Sequence, residues 1–174
     1  IAQETGLPRL VALSRLERDR ASLERSLESL REVFGRTVVP VTLPLGEEKD
    51  FRGVIDLVTM KALTFQTDGS GKFTEGEVPA AAAAAASAAR EALIEMVAEA
   101  DDKLMERFFE EGTLTQDELV SGLRKATMAG RVFPLFCTSA LHNIGIPTML
   151  DALVAYTPSP TERPFPAIAR PGGE

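Results

Sequence analysis

Between residues 9 and 43 a short apolar run, an amphipathic stripe and a second apolar run follow one another, and this order restricts the fold more than any other feature of the chain. Arg9-Leu10-Val11-Ala12-Leu13 follows Pro8 and reads as a buried strand. Leu16, Leu23, Leu27, Leu30 and Phe34 then recur three, four or seven residues apart, with Glu24, Arg25, Glu28 and Arg31 between them. That spacing predicts an amphipathic helix. Gly35 stands where a left-handed residue stops such a helix, and Val38-Val39-Pro40-Val41-Thr42-Leu43 follows as a second strand. Two strands joined through a helix pair in parallel, because the crossover carries the chain back to the end it started from.

Beyond Gly46 the periodicity changes. Phe51 to Val58 and Met60 to Phe65 alternate partly at period two, and the turn Asp68-Gly69-Ser70-Gly71 precedes Phe73, which predicts a small antiparallel sheet. Pro79, seven alanines from Ala80 to Ala86 and the segment to Ala100 form the stretch of highest helix propensity. A helix over about Lys103 to Glu110 follows. Thr115-Gln116-Asp117-Glu118 has the Thr-x-x-Glu pattern of a capping box and opens another helix that Gly130 closes. Val132-Phe133-Pro134-Leu135-Phe136-Cys137 reads as a further buried strand, and the last helix runs from about Pro147 to Tyr156. Thr157-Pro158-Ser159-Pro160 ends it, and the Pro/Gly-rich remainder reads as a linker. The simplest assembly puts the three apolar strands in one sheet and the intervening α+β segment in a separate lobe.

Composition narrows the function classes. With 44% hydrophobic and 26% charged residues the chain of 174 has material for a core, unlike low-hydrophobicity disordered sequences. Its 19 Lys+Arg against 26 Asp+Glu give a net charge of −7, which argues against neutralising nucleic-acid phosphates as a main task, so no direct DNA binding is expected. One cysteine, Cys137, excludes an intramolecular disulfide and a metal framework, and a reducing, cytoplasmic setting is the simpler expectation. No stretch matches a membrane span or signal peptide. The first residue is Ile1 and not Met, so a piece of a longer protein is expected.

Several local patterns invite chemistry. Gly69-Ser70-Gly71-Lys72 has two elements of a phosphate loop, but Gln66 and Phe73 stand where the motif needs Gly and Ser or Thr, and a hairpin turn explains it. Cys137 and His142 are close in sequence, yet nothing supplies an orienting third group, and a cysteine in an apolar strand ordinarily just packs. Glu91, Glu95 and Glu99 repeat at i, i+4 and place like charges in one helical stripe, either ordinary solvated surface or a face that receives a basic partner. Ser14-Arg15-Leu16-Glu17 and Cys137-Thr138-Ser139-Ala140-Leu141 end two predicted strands. Open α/β sheets bind ligands at carboxyl ends of strands, so these two loops together can hold a planar base.

In order, Gly6-Leu7-Pro8-Arg9, Pro44-Leu45-Gly46, Asp50-Phe51-Arg52-Gly53-Val54-Ile55-Asp56-Leu57, Met60-Lys61-Ala62, Leu123-Arg124-Lys125-Ala126-Thr127, Cys137-Thr138-Ser139-Ala140-Leu141 and Pro158-Ser159-Pro160 resemble the bacterial elongation factor G family over almost the whole chain. The resemblance implies an α/β fold: a partial P-loop GTPase-type parallel sheet, made of a βαβ unit and a closing strand and helix, with an inserted α+β G′ subdomain. Residues 1–45 and 131–160 would belong to the GTPase domain, 46–130 to the G′ subdomain and 161–174 to a linker.

The family's Asn-Lys-x-Asp guanine motif aligns with Ser14, Arg15 and Glu17, and its Ser-Ala-x loop with Ser139, Ala140 and Leu141. There the Asp accepts from the guanine edge donors, the Lys stem covers the base and the Ala N–H meets the guanine carbonyl. The first loop departs at all three defining positions: Glu17 keeps a carboxylate, Arg15 a cation, and Ser14 loses the bracing amide. The family's phosphate loop, switches and Mg²⁺ ligands precede Ile1, so the resemblance implies GTP or GDP as ligand of the parent protein, with no catalytic or metal residue in this piece. It also implies the ribosome as partner, the C-terminal domain of the ribosomal stalk protein docking at Glu91, Glu95 and Glu99, and a monomer. The expected function is that of a translational GTPase moving tRNA and mRNA on the ribosome. The alternative expectation is a non-catalytic module that docks on the stalk and no longer binds nucleotide.

Overall fold

The computed structural model describes residues 4–162. The linker predicted for the end of the chain therefore lies outside the described residues from residue 163 onward. The elements are β1 (Val11–Leu13), α1 (Leu23–Phe34), β2 (Val38–Pro40), β3 (Thr42–Leu45), β4 (Gly53–Asp56), β5 (Lys61–Phe65), β6 (Phe73–Glu77), α2 (Ala80–Ala98), α3 (Asp102–Glu111), α4 (Gln116–Met128), β7 (Phe133–Cys137) and α5 (Ile146–Tyr156). They build an α/β fold with two sheets, one parallel in the order β1-β7-β2 and one antiparallel in the order β3-β4-β5-β6. This is the topology of a partial GTPase-like α/β fold.

The late strand β7 takes the centre of the parallel sheet, pairing Leu135 with Val11 on one side and Phe133 with Val38 on the other. All five of its residues are buried, as an apolar run of that length requires. The first strand, which its apolar run predicts to be buried, is instead a half-buried edge, because β7 covers it on one side only.

Helix α1 also differs from its predicted stripe. Arg15 and Arg20 take φ of 65° and 66°, so the chain turns through residues 14–22 and Leu16 is a buried loop residue outside the helix. The helix starts at Leu23, where the Ser22 hydroxyl accepts from Arg25 N, and stops at Gly35 with φ of 68°.

The second predicted strand is two strands. Pro40 closes β2 on the edge of the parallel sheet, where a missing N–H is tolerated. Val41 then bonds to both sheets: its N–H donates to Leu135 O at 2.8 Å, and its carbonyl accepts from Leu57 N at 3.0 Å. Thr42 opens β3 on the antiparallel sheet.

Between β3 and β7 the last two helices carry local start or stop signals. Asp101 caps α3, Gly112 ends it with φ of 70°, and the capping box of Thr115 and Glu118 is formed at α4. Arg90 on α2 donates to the carbonyls of Leu57 and Val58, which ties this alanine-rich helix to the turn after β4. One apolar cluster joins Val39 and Val41 with Leu93, Val97, Leu119, Leu123, Phe136 and Tyr156. The segment expected to form a separate lobe therefore shares its core with the parallel sheet. No helix among the described residues is long and apolar enough to cross a membrane.

Candidate functional site

The carboxyl ends of β1 and β7 are adjacent because the strands pair in register up to Leu13 and Cys137. The loops that leave them are fastened through one residue. Thr138 N donates to Leu13 O at 2.8 Å, Thr138 Oγ1 donates to the same carbonyl at 3.2 Å, and Leu16 N donates to Thr138 O at 3.5 Å. Below them Thr42 Oγ1 accepts from Cys137 N at 2.8 Å, and Cys137 Sγ donates to Thr42 O at 3.2 Å.

The second loop folds back on itself. Ser139 and Ile144 exchange both backbone hydrogen bonds at 2.9 and 3.0 Å, and His142 N donates to Ser139 Oγ at 3.3 Å. Ser139 is buried, whereas Ala140 and Leu141 project at the tip. Among the described residues neither the Ala140 nor the Leu141 N–H is engaged in a hydrogen bond. Gly145 closes the loop with φ of 70°, where a Cβ would collide with the Cys137 carbonyl.

In the first loop Ser14 and Arg15 are exposed, but the Glu17 side chain is only 9% exposed. Its Oε1 lies 3.8 Å from Arg18 Nε, and its Oε2 is buried without a hydrogen-bond partner. That carboxylate borders a cavity of about 350 Å³ whose walls include Phe51, Phe65, His142 and Ile144, with Lys49 and Arg52 at its rim. The structure thus brings Glu17 together with the second loop through His142 and Ile144. Ser14, Arg15, Ala140 and Leu141 do not line that cavity.

Two contributors carry no signal in the sequence. Thr42 supports the end of β7 from a distance of 95 residues. Asn143, at φ of 55°, donates from Nδ2 to Gly69 O at 3.2 Å and so fixes the β5–β6 hairpin against the second loop. That Gly69-Ser70-Gly71-Lys72 stretch is a turn, closed by Ser70 N donating to Asp68 Oδ1 at 2.9 Å and by Gln66 N donating to Lys72 O at 2.8 Å. Cys137 is fully buried, and burial pushes its thiol up to about 12. A thiol so enclosed packs as a small apolar side chain. No group of three or more His, Cys, Asp or Glu among the described residues is placed to hold a metal ion.

The acidic residues of α2 share one exposed face. Glu91 and Glu95 are at the border of a shallow cavity with Phe108 and Thr113, whereas Glu99 is paired with Arg36 at 2.9 Å. The stripe is therefore neutralised at its C-terminal end.

No protein-family model matches the chain. The crystal structure of a protein from Thermus thermophilus is similar to it, with a TM-score of 0.81 and 30% sequence identity over 92% of this chain. The chain spans 24% of that protein's length, so the likeness is one of fold over a segment.

Proposed function

We propose that the chain is part of an elongation-factor-G-like translational GTPase, in which it supplies the loops that hold a guanine base and an acidic face that docks on the ribosomal stalk protein. The observation that carries this reading is the pair of loops at the carboxyl ends of β1 and β7, tied together through Thr138, with an unengaged N–H at Ala140. A planar base with a carbonyl beside two N–H donors matches what the loops offer. The Ala140 N–H donates to the carbonyl and the Arg15 stem covers the ring, while Glu17, which lines a cavity that Arg15 and Ala140 do not border, accepts from the edge donors after turning its carboxylate toward them. Ser139 and Leu141 hold and flank the tip.

In this reading the parent protein is a GTPase that couples hydrolysis to movement of tRNA and mRNA, and GTP or GDP is its ligand. The phosphates and Mg²⁺ are held by segments outside these residues. The departures at Ser14, Arg15 and Glu17 favour a second reading, a docking module without nucleotide.

Guanosine monophosphate separates the two, because its base needs only these loops. An NMR titration is expected to shift the Ala140 and Leu141 amides with guanosine monophosphate, less with adenosine monophosphate, and less again in Glu17→Gln. Equal responses to both nucleotides sink the base-binding reading. For the docking face, salt-sensitive binding of the stalk protein's C-terminal domain is expected, and the triple variant Glu91/Glu95/Glu99→Lys should abolish it. A folded sample that does not bind returns the stripe to ordinary surface.

A further inference from the structure

Helix α5 and the antiparallel sheet enclose another cavity, apart from the strand-end loops and from the acidic face of α2. On α5, Thr148, Asp151, Ala152 and Ala155 follow at helical spacing and present one face. On β6, Phe73 and Glu75 are two residues apart and therefore point to the same side of the sheet. Asp56 at the end of β4, Tyr156 at the end of α5 and the apolar Val41, Leu63 and Phe136 also border this space of about 280 Å³.

The chemistry of these walls is one-sided. All three charged residues lining the cavity, Asp56, Glu75 and Asp151, are acidic. Asp56 is engaged, accepting from Val58 N at 2.8 Å and from Thr59 Oγ1 at 3.0 Å. Glu75 and Asp151 accept no hydrogen bond among the described residues. Tyr156 is only 6% exposed, yet its hydroxyl makes no hydrogen bond among the described residues. Thr148 Oγ1 is buried without a partner as well. Two hydroxyls that the fold leaves without a hydrogen bond, on Thr148 and the largely buried Tyr156, thus belong to residues lining one space beside the exposed carboxylates of Glu75 and Asp151, and a buried polar group left unpaired calls for a partner from outside the fold.

We propose that this cavity binds an arginine side chain of a partner polypeptide that lies along β6. A guanidinium supplies five N–H donors in a plane, enough to meet Glu75, Asp151 and the Tyr156 oxygen together. It also stacks on an aromatic face, and the partly exposed Phe73 ring is at the cavity wall. A lysine ammonium has fewer donors and a tighter hydration shell, so it fits less well. Burial and the Asp56 charge push the Tyr156 phenol up to about 12, which keeps the hydroxyl protonated.

The partner is a polypeptide because β6 is the edge of its sheet and all five of its residues are exposed. An extended segment can pair with that edge, and its alternate side chains then fall on the same face as Phe73 and Glu75. The net charge of −7 favours a basic partner at long range.

Tyr156 is the chain's one tyrosine and there is no tryptophan, so intrinsic fluorescence reports directly on the cavity. The probe is a short blocked peptide with one central arginine between β-branched residues, beside versions carrying citrulline or lysine. The arginine peptide is expected to change the Tyr156 emission saturably, and to bind about tenfold tighter than the citrulline peptide. Asp151→Asn should weaken the arginine peptide by about tenfold, whereas Glu28→Gln, on the exposed face of α1, should leave it unchanged. Asp151 is exposed on a helix surface, so this variant keeps the fold, which circular dichroism checks. No saturable change, equal binding of arginine and citrulline or lysine peptides, or indifference to Asp151→Asn each overturns the proposal.

Discussion

The strand-end loops and the acidic face of α2 present carboxylates in opposite ways. Glu17 is drawn into a cavity, its Oε2 unpaired and out of water, on a loop fastened to its neighbour through Thr138. Glu91 and Glu95 stand in solvent on a regular helix, and Glu99 at the end of the same stripe is already neutralised by Arg36. A carboxylate oxygen buried without a partner opposes folding, and a protein that keeps one has a use for it or a partner to supply. Three exposed carboxylates oppose folding very little. The physical case for a binding site is therefore stronger at the loops than on the helix, although the helix has the more regular sequence pattern.

The largest expected effect comes from breaking the loop geometry. Gly145→Ala puts a Cβ into the Cys137 carbonyl at a φ of 70°, so stability should fall by about 3 kcal/mol, and the Ser139–Ile144 backbone pair should open. Chemical denaturation measures the first, and amide hydrogen exchange at Ser139 and Ile144 the second. Glu91→Ala, on the other side of the comparison, should change stability by less than about 0.5 kcal/mol. A tolerant Gly145 would mean that the loop is not rigidly held.

How much of this contrast is legible in the sequence depends on the range of each interaction. The capping box of Thr115 and Glu118 and the stop at Gly35 are local, and both stand where the residues put them. The split of residues 38–43 into two strands is hidden, because an unbroken apolar run serves either sheet and only the bonds of Val41 to Leu135 and Leu57 separate them. The edge position of β1 follows from β7 entering the centre of the sheet, a pairing more than a hundred residues apart in the chain. At the site, the loops can be read as strand ends, but the burial of Glu17 depends on Phe51, Phe65 and His142 converging from three segments. The acidic repeat is fully legible, and its neutralisation by Arg36 from a different helix end is not.

The second effect removes the burden at Glu17 itself. Glu17→Met replaces a largely buried carboxylate, one oxygen of which has no partner and the other only the exposed Arg18 at 3.8 Å, by an apolar side chain of similar length, so stability should rise by about 1 kcal/mol while any guanosine response is lost. The same change at Glu95 should leave stability within about 0.5 kcal/mol. A destabilised Glu17→Met protein would show that the carboxylate is satisfied in solution.

The two regions should also fail at opposite ends of the pH scale. Burial raises the Cys137 thiol from 9.0 to about 12, so its contribution to stability is complete below pH 9 and is lost as pH rises toward 12. In the helical insertion the signs are reversed. The Lys125 hydrogen bond lowers Asp101 from 3.8, and hydrogen bonds from Thr115 lower Glu118 from 4.5. Their contribution is present above those values and is lost as pH falls through the lowered ones. Hydrogen exchange is expected to show β7 opening first on the alkaline side and the start of α4 fraying first on the acid side. The same element yielding first at both extremes would contradict this assignment.

The smallest effect concerns whether the acidic stripe is structural at all. Arg36 and Glu99 form a 2.9 Å pair, with the arginine 78% and the glutamate 38% exposed. Water and salt screen such a pair, and holding two long side chains in place offsets much of its attraction. A double-mutant cycle with Arg36→Ala and Glu99→Ala should give a coupling of about 0.5 kcal/mol or less, falling further in high salt. If so, Arg36 is displaced at little cost by a basic partner, and the stripe regains its third charge when docking demands it. A coupling several times larger and insensitive to salt would instead make the pair a fixed link between α1 and α2, leaving Glu91 and Glu95 alone to attract a partner.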